Sequence, residues 1–286
     1  MRRLVAAATV ALLALQSADA ADMAVDLELI LAIDVSSSVD RVEGQLQREG
    51  YVRAFADPRI AQAIGNGRYG RIAVTYVEWS RAGLEYRITP WWLIASAADA
   101  QAYSRELANS PITGATGTSI TSMIRTGLQM FQNNGYDAPR RVIDIGGDGP
   151  NSNGGPVTAA RDEAVAAGVT INGIAINDRE VTWFSLTDLD QYYEECVIGG
   201  PAAFVVAVDG FQAYAEAILR KLILEIADAV PVGTGARVIP VQVQGPLVGR
   251  PSRAPKYGPA CDIGERMLRM DQMGLPPGTP MGPFLR

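Results

Sequence analysis

Residues 27–38 read LELILAIDVSSS, and this stretch decides the fold. The nine residues to Val35 are nearly continuous apolar, the pattern of a central strand buried on both faces. Where the chain leaves that strand, an acid and two hydroxyls follow at alternate positions: Asp34, Ser36 and Ser38. In an open α/β sheet, ligands bind beyond the carboxyl ends of the strands, at the switch point of strand order. The D-x-S-x-S run lies at such an end.

Outward from it, strands and helices alternate. Val39, Val42 and Leu46 follow at helical spacing. Residues 71–79 (RIAVTYVEW) read as a strand, and residues 84–88 fold back on it after Gly83 as a hairpin. Residues 95–108 are helical. Ile120, Met123, Ile124, Gly127, Leu128 and Phe131 form an amphipathic stripe. The strand 141–145 (RVIDI) runs into Gly146-Gly147-Asp148. A helix over 156–167, strands over 169–176 and 203–208, and a strong amphipathic helix from Phe211 to Ile226, capped by Asp209, complete the pattern. The expected fold class is α/β: a doubly wound, mostly parallel sheet with one antiparallel edge strand.

The two ends read differently. Met1-Arg2-Arg3, the apolar run 4–15 and the small-x-small site Ala18-Asp19-Ala20 make residues 1–20 a cleaved signal peptide. The run is shorter than the ~20 residues that span a bilayer, and no later stretch suits a span, so the mature chain is expected in the periplasm or secreted. Residues 21–230 carry the α/β pattern. Residues 231–286 hold ten of the 17 prolines and read as a loop-rich tail. In an oxidising compartment the two cysteines, Cys196 and Cys261, are candidates for a disulfide that docks residues 231–261 and leaves 262–286 freer.

Composition removes whole classes of chemistry. There is no histidine, which excludes a Ser-His-Asp triad, a Cys-His dyad and any imidazole-ligated metal. Lysine occurs only at Lys221 and Lys256. The net charge of −6 argues against non-specific nucleic-acid binding. What remains at the strand ends is oxygen: Asp34, Ser36 and Ser38, the Thr116-Gly117-Thr118 turn before the striped helix, and Asp148 after the next strand. Two carboxylates with hydroxyls suit a hard divalent cation, Mg²⁺ above all.

D-x-S-x-S at the first strand, a threonine before a middle helix and Asp-Gly after the next strand together resemble the von Willebrand factor A domain, over roughly residues 26–229. The stretches VIDIGGDGPNSNGG, YYEECVIGGPAAF and LRKLILEIA further resemble a proteobacterial family of exported proteins of unassigned function. The resemblance implies a metal-ion-dependent adhesion site holding Mg²⁺ (or Mn²⁺ or Ca²⁺) that binds an acidic group of a protein partner. Ser36 and Ser38 would be direct ligands, and Thr118 direct or water-mediated. Asp34 and Asp148 would balance charge largely through waters. Thr116 fits the same pattern. Thr118 is chosen because it stands six residues before Ile124. The competing reading is a divalent-metal hydrolase such as a phosphoesterase, with Asp34 as nucleophile or a metal-activated water. The expectation is a binding module and no enzyme, since neither rim acid is clearly poised as a base.

Other residues carry structural expectations. Asp144, inside a buried strand, needs a partner, at the rim or in Arg141 or Arg71. Trp91 and Trp92 are expected in the core, Asp178 in a turn, and residues 149–155 in a flexible polar loop.

Overall fold

The computed structural model describes residues 22–177, 186–210, 213–228, 237–240 and 260–274. The signal segment 1–20, Asp178, Lys256 and most of the tail lie outside the described residues. In chain order the elements are β1 (Met23–Ala24), β2 (Glu28–Asp34), α1 (Arg41–Ala56), α2 (Pro58–Gly65), β3 (Ile72–Trp79), β4 (Glu85–Arg87), β5 (Trp92–Ile94), α3 (Ala97–Asn109) and α4 (Ile120–Met130). They continue as β6 (Tyr136–Asp137), β7 (Arg141–Gly147), α5 (Val157–Ala166), β8 (Val169–Asn177) and α6 (Leu189–Tyr192), which runs on into a π-helical turn, Tyr193–Val197. β9 (Phe204–Asp209), α7 (Tyr214–Ile226), β10 (Arg237–Pro240) and α8 (Ile263–Gln272) follow.

The main sheet has the order β10-β9-β8-β7-β2-β3-β4, with β9, β8, β7, β2 and β3 mutually parallel. Every residue of β2 is buried, as its apolar run requires. The sheet direction of connection reverses at β2, which pairs β3 on one side and β7 on the other. The ends of β2 and β7 therefore form the crevice where such sheets bind ligands. One face packs Leu29, Leu31, Ile33 and Tyr76 against α1, α2, α3 and α7. The other packs Ile30, Ala32, Ile143 and Ile145 against α4, α5 and the α6 region. Cutting one of these side chains to alanine costs about 2–5 kcal/mol in comparable cores.

The doubly wound sheet and its antiparallel edge match the sequence reading. The edge is richer than expected: both β4 and β5 pair antiparallel with β3, and β10 adds an antiparallel strand to β9 at the opposite edge. Trp91 and Trp92 are packed as expected. The Trp91 indole donates to the Met130 carbonyl at 3.2 Å, and Trp92 lies in β5 against Tyr103.

Four local expectations change. In α1 the buried face is Gln47, Arg48, Tyr51, Ala54 and Phe55, while Val42 is exposed. Asp209 does not cap α7; it ends β9, and Ala213 stands at the cap. Asp144 pairs with neither arginine: its partner is Lys221 of α7, at 2.6 Å. The fourth and largest correction is in the tail. Cys196 and Cys261 form the expected disulfide, but the residues directly after it are not loose, because α8 follows at once; residues 275–286 lie outside the described residues. Its Gly264 lies so close to the Asn151 carbonyl that no side chain fits there. Glu265 accepts a hydrogen bond from the Asn151 amide at 2.6 Å, and Met270 is buried. A bridge across 65 residues stabilises by about 4 kcal/mol in the chain-entropy model.

Candidate functional site

The site begins with the turn that leaves β2. Asp34 is its last residue and is fully buried. Its Oδ1 accepts the Ser36 backbone N–H at 2.7 Å, which bends the chain out of the sheet within two residues. That bend brings the Ser36 and Ser38 hydroxyls to 3.0 Å from one another. Ser38 Oγ donates to Asp148 Oδ1 at 2.8 Å. Asp148 directly follows β7, the parallel neighbour of β2. Asp34, Ser36, Ser38 and Asp148, expected from sequence to converge, are thus one connected group.

The threonine loop reaches this group through its backbone. The Ala115 N–H donates to the Val35 carbonyl at 3.2 Å, which sets Thr116 beside the β2 turn. Gly117 takes a left-handed conformation with φ +86°, which glycine adopts freely. The Thr118 carbonyl accepts from Ser152 N–H at 2.9 Å, so Thr118 is tied to the loop that follows Asp148. Ser119 then caps α4. Among the described residues no hydrogen bond joins the Thr116 or Thr118 hydroxyl to the other four.

Electrostatically the site is unbalanced at Asp34. Its carboxyl is held well above the usual carboxylate range, first by burial and then by the nearby charge of Asp148. Its Oδ2 has no hydrogen-bond partner, and no cationic side chain among the described residues pairs with it. A buried acceptor without a partner costs roughly 1–3 kcal/mol. The residues fit a hard divalent cation: two acids, two linked hydroxyls and an orphaned carboxylate oxygen, all oxygen donors. Among the described residues no three Asp, Glu or Cys side chains gather as a metal-binding group, and the rim itself offers two carboxylates with hydroxyls.

Several residues that shape the site escaped the sequence reading. The loop expected to be flexible is instead clamped. Asn151 is fully buried; its Oδ1 accepts Thr121 N–H at 3.1 Å, and its backbone N–H donates to the Tyr192 hydroxyl at 3.2 Å. On the other side, buried Arg48 pairs with Glu78 and donates to the carbonyls of Leu107 and Ser110, at 2.9 and 3.0 Å. Glu78 accepts both the N–H and the hydroxyl of Thr113, each at 2.7 Å. This network fixes the segment that leads into Thr116. Beneath the rim, the fully buried Tyr193 hydroxyl has no hydrogen-bond partner.

The fold recurs in known structures. Proximal thread matrix protein 1 from the mussel byssus superposes with a TM-score of 0.50 at 17% identity, over 73% of this chain and 49% of that one. A structure of the same mussel protein with a zinc-occupied MIDAS motif gives 0.49 at 16% identity over the same shares. The pilus adhesin SpaC from Lactobacillus rhamnosus GG gives 0.49 at 14%, over 73% of this chain and 31% of that one. This chain therefore spans about half the length of the mussel protein and less of the adhesin, and the likeness is one of fold, that of the von Willebrand factor A domain. No curated protein matches the sequence. Residues 24–230 match the family model described as protein of unknown function, DUF1194, and the chain belongs to that family.

Proposed function

We propose that this protein is an exported binding module that holds one divalent cation at the carboxyl ends of β2 and β7 and offers it to a carboxylate of a protein partner. Mg²⁺ is the natural occupant by ligand hardness, with Mn²⁺ or Ca²⁺ able to replace it. Asp34, Ser36, Ser38 and Asp148 hold the cation, with one threonine hydroxyl from the 116–118 loop. Thr118 is the choice from sequence spacing, and the Ala115–Val35 bond gives Thr116 a competing claim. The observation that carries the reading is Asp34 Oδ2, buried beside a second acid with no partner of its own. The bound cation supplies positive charge and an exchangeable coordination position; the chain's residues hold and orient it.

Binding rather than turnover is favoured by the chemistry of the rim. A general base needs a free, poised acceptor. Here Ser36 N–H occupies Asp34 Oδ1, Ser38 occupies Asp148 Oδ1, and the orphaned Asp34 Oδ2 is the oxygen this reading commits to the cation. The chain has no histidine to serve instead. The disulfide supports an oxidising compartment, and among the described residues no helix is long and apolar enough to cross a membrane.

Calorimetric titration with Mg²⁺ and Mn²⁺ tests the reading. The intact protein should bind one cation, and Asp34→Ala should abolish binding with an unchanged circular dichroism spectrum. At 100 times Kd the cation should stabilise the intact protein by about 2.7 kcal/mol, and the variant not at all. Equal affinity in the two would reject the site. Cation-dependent hydrolysis of phosphoesters or esters that vanishes in Asp34→Ala would replace binding by catalysis.

A further inference from the structure

Two buried oxygen atoms without hydrogen-bond partners lie beside the same glycine. A methyl group added to Gly147 would stand 2.8 Å from the Tyr193 hydroxyl and 3.2 Å from Asp34 Oδ2. Both atoms are orphaned. Tyr193 reaches this point by lying across the sheet. A side chain at Gly173 of β8 would meet the Tyr193 ring at 2.7 Å, so glycines on two adjacent strands leave the slot that the ring fills. Neither glycine has a positive φ. They are there for space and not for backbone conformation. The tyrosine itself opens the π-helical turn, a distortion that often marks functional positions.

A fully buried tyrosine normally finds a partner for its hydroxyl. An apolar ring of the same shape would fill this slot without leaving an orphaned donor. We infer that Tyr193 is the positioning residue of the cation site: its hydroxyl donates a hydrogen bond to Asp34 Oδ2 across Gly147 when the cation is bound. This rests on the cation reading above and extends it to a residue outside the rim. A phenol donates without adding charge. It can thus orient the carboxylate while leaving its full negative charge to the cation. Asp34 Oδ1 is already fixed by Ser36 N–H, so the second bond locks the carboxylate plane.

The test uses the full mature chain and Mn²⁺ alone as probe. Tyr193→Phe keeps the ring in its slot and removes only the donor. Mn²⁺ affinity by calorimetry should fall roughly tenfold, in line with a hydrogen bond to a charged group, while thermal unfolding in chelator stays close to that of the intact protein. Mn²⁺ should also produce a tyrosine ultraviolet difference spectrum in the intact protein that Tyr193→Phe lacks, a readout that packing alone would not move. Gly147→Ala, which brings a methyl to 2.8 Å from the Tyr193 hydroxyl and 3.2 Å from Asp34 Oδ2, should weaken Mn²⁺ binding in the same direction. Unchanged affinity and an unchanged difference spectrum in Tyr193→Phe, with binding still lost in Asp34→Ala, would overturn the role of Tyr193 alone. No Mn²⁺ binding by the intact protein would overturn both readings.

Discussion

Two buried acids stand in and just after β7, and the chain treats them in opposite ways. Asp144, in mid-strand, meets Lys221 of α7 at 2.6 Å, and both side chains are fully buried. Lys221 also reaches Glu225 at 3.3 Å and lies over the Phe204 ring, while Glu225 accepts from Asn172 at 2.6 Å. Four residues later Asp148 stands beside Asp34, whose Oδ2 has no partner in the protein. One of only two lysines in the chain is spent on the first cluster. A fold that supplies an internal cation where charge is sealed, and none among the described residues to Asp34 at the rim, leaves that position as the proposed cation site requires.

The largest effect should come from removing the internal cation. Lys221→Met leaves Asp144 and Glu225 buried together without a positive charge, and breaking such a pair costs about 3–5 kcal/mol. Urea unfolding should show that loss, and added Mg²⁺ should not restore it, because the cluster is closed to solvent. A near-neutral variant would break the comparison: buried acids in this protein would then need no cation, and the orphaned Asp34 oxygen would lose its meaning.

The next effect sharpens the rim side. Thr116→Ala and Thr118→Ala should differ in Mn²⁺ affinity, with the true ligand costing roughly tenfold, the scale of one lost contact to a charged group. The bond from Ala115 to Val35 ties the residue before Thr116 to the β2 turn, so the larger loss is expected in Thr116→Ala. The larger loss in Thr118→Ala would restore the choice made from sequence spacing. Equal, small losses in both would remove this loop from the ligand set.

What could be read in the sequence follows from which signals are local. The run 27–35 announces a two-sided buried strand because β2 is buried along its whole length. Asp34, Ser36 and Ser38 are legible because the turn that joins them spans five residues. The cysteines are legible because there are two. β5 was lost because three residues carry too little periodicity, and its pairing with β3 is set by the distant partner strand. α8 was lost because proline and glycine surround it. Its apolar stripe is short, Ile263, Met267 and Met270, and it is also held by Asn151, more than a hundred residues away. Lys221 reads as a solvated position on an amphipathic helix, and only the facing strand reveals the acid that buries it. Tyr193 is invisible for the same reason, since Gly147 and Gly173 make its slot from other strands. Rim geometry is partly local; everything beneath the rim is written in pairs far apart.

The smallest effect is the pH dependence that Glu225 gives the closed cluster. Burial, then the charge of Asp144, pushes the Glu225 carboxyl up to about 7, while Lys221 and Asn172 pull it down less. In the unfolded chain it titrates near the ordinary value of 4.5. Between these values the native protein holds a proton that the unfolded chain has released. Stability from this group is therefore fully present below about pH 4.5 and is lost as pH rises through about 7, by at most about 1.4 kcal/mol per unit. Unfolding by urea at pH 5, 6, 7 and 8, with chelator present to keep the rim free of cation, should show the difference between the intact protein and Glu225→Gln changing steadily to pH 7 and levelling beyond it. The difference isolates Glu225, because the Asp34 carboxyl, raised in the same direction, contributes equally to both proteins. A difference that stays constant with pH would mean that Glu225 is ionised throughout this range and that Lys221 outweighs its burial.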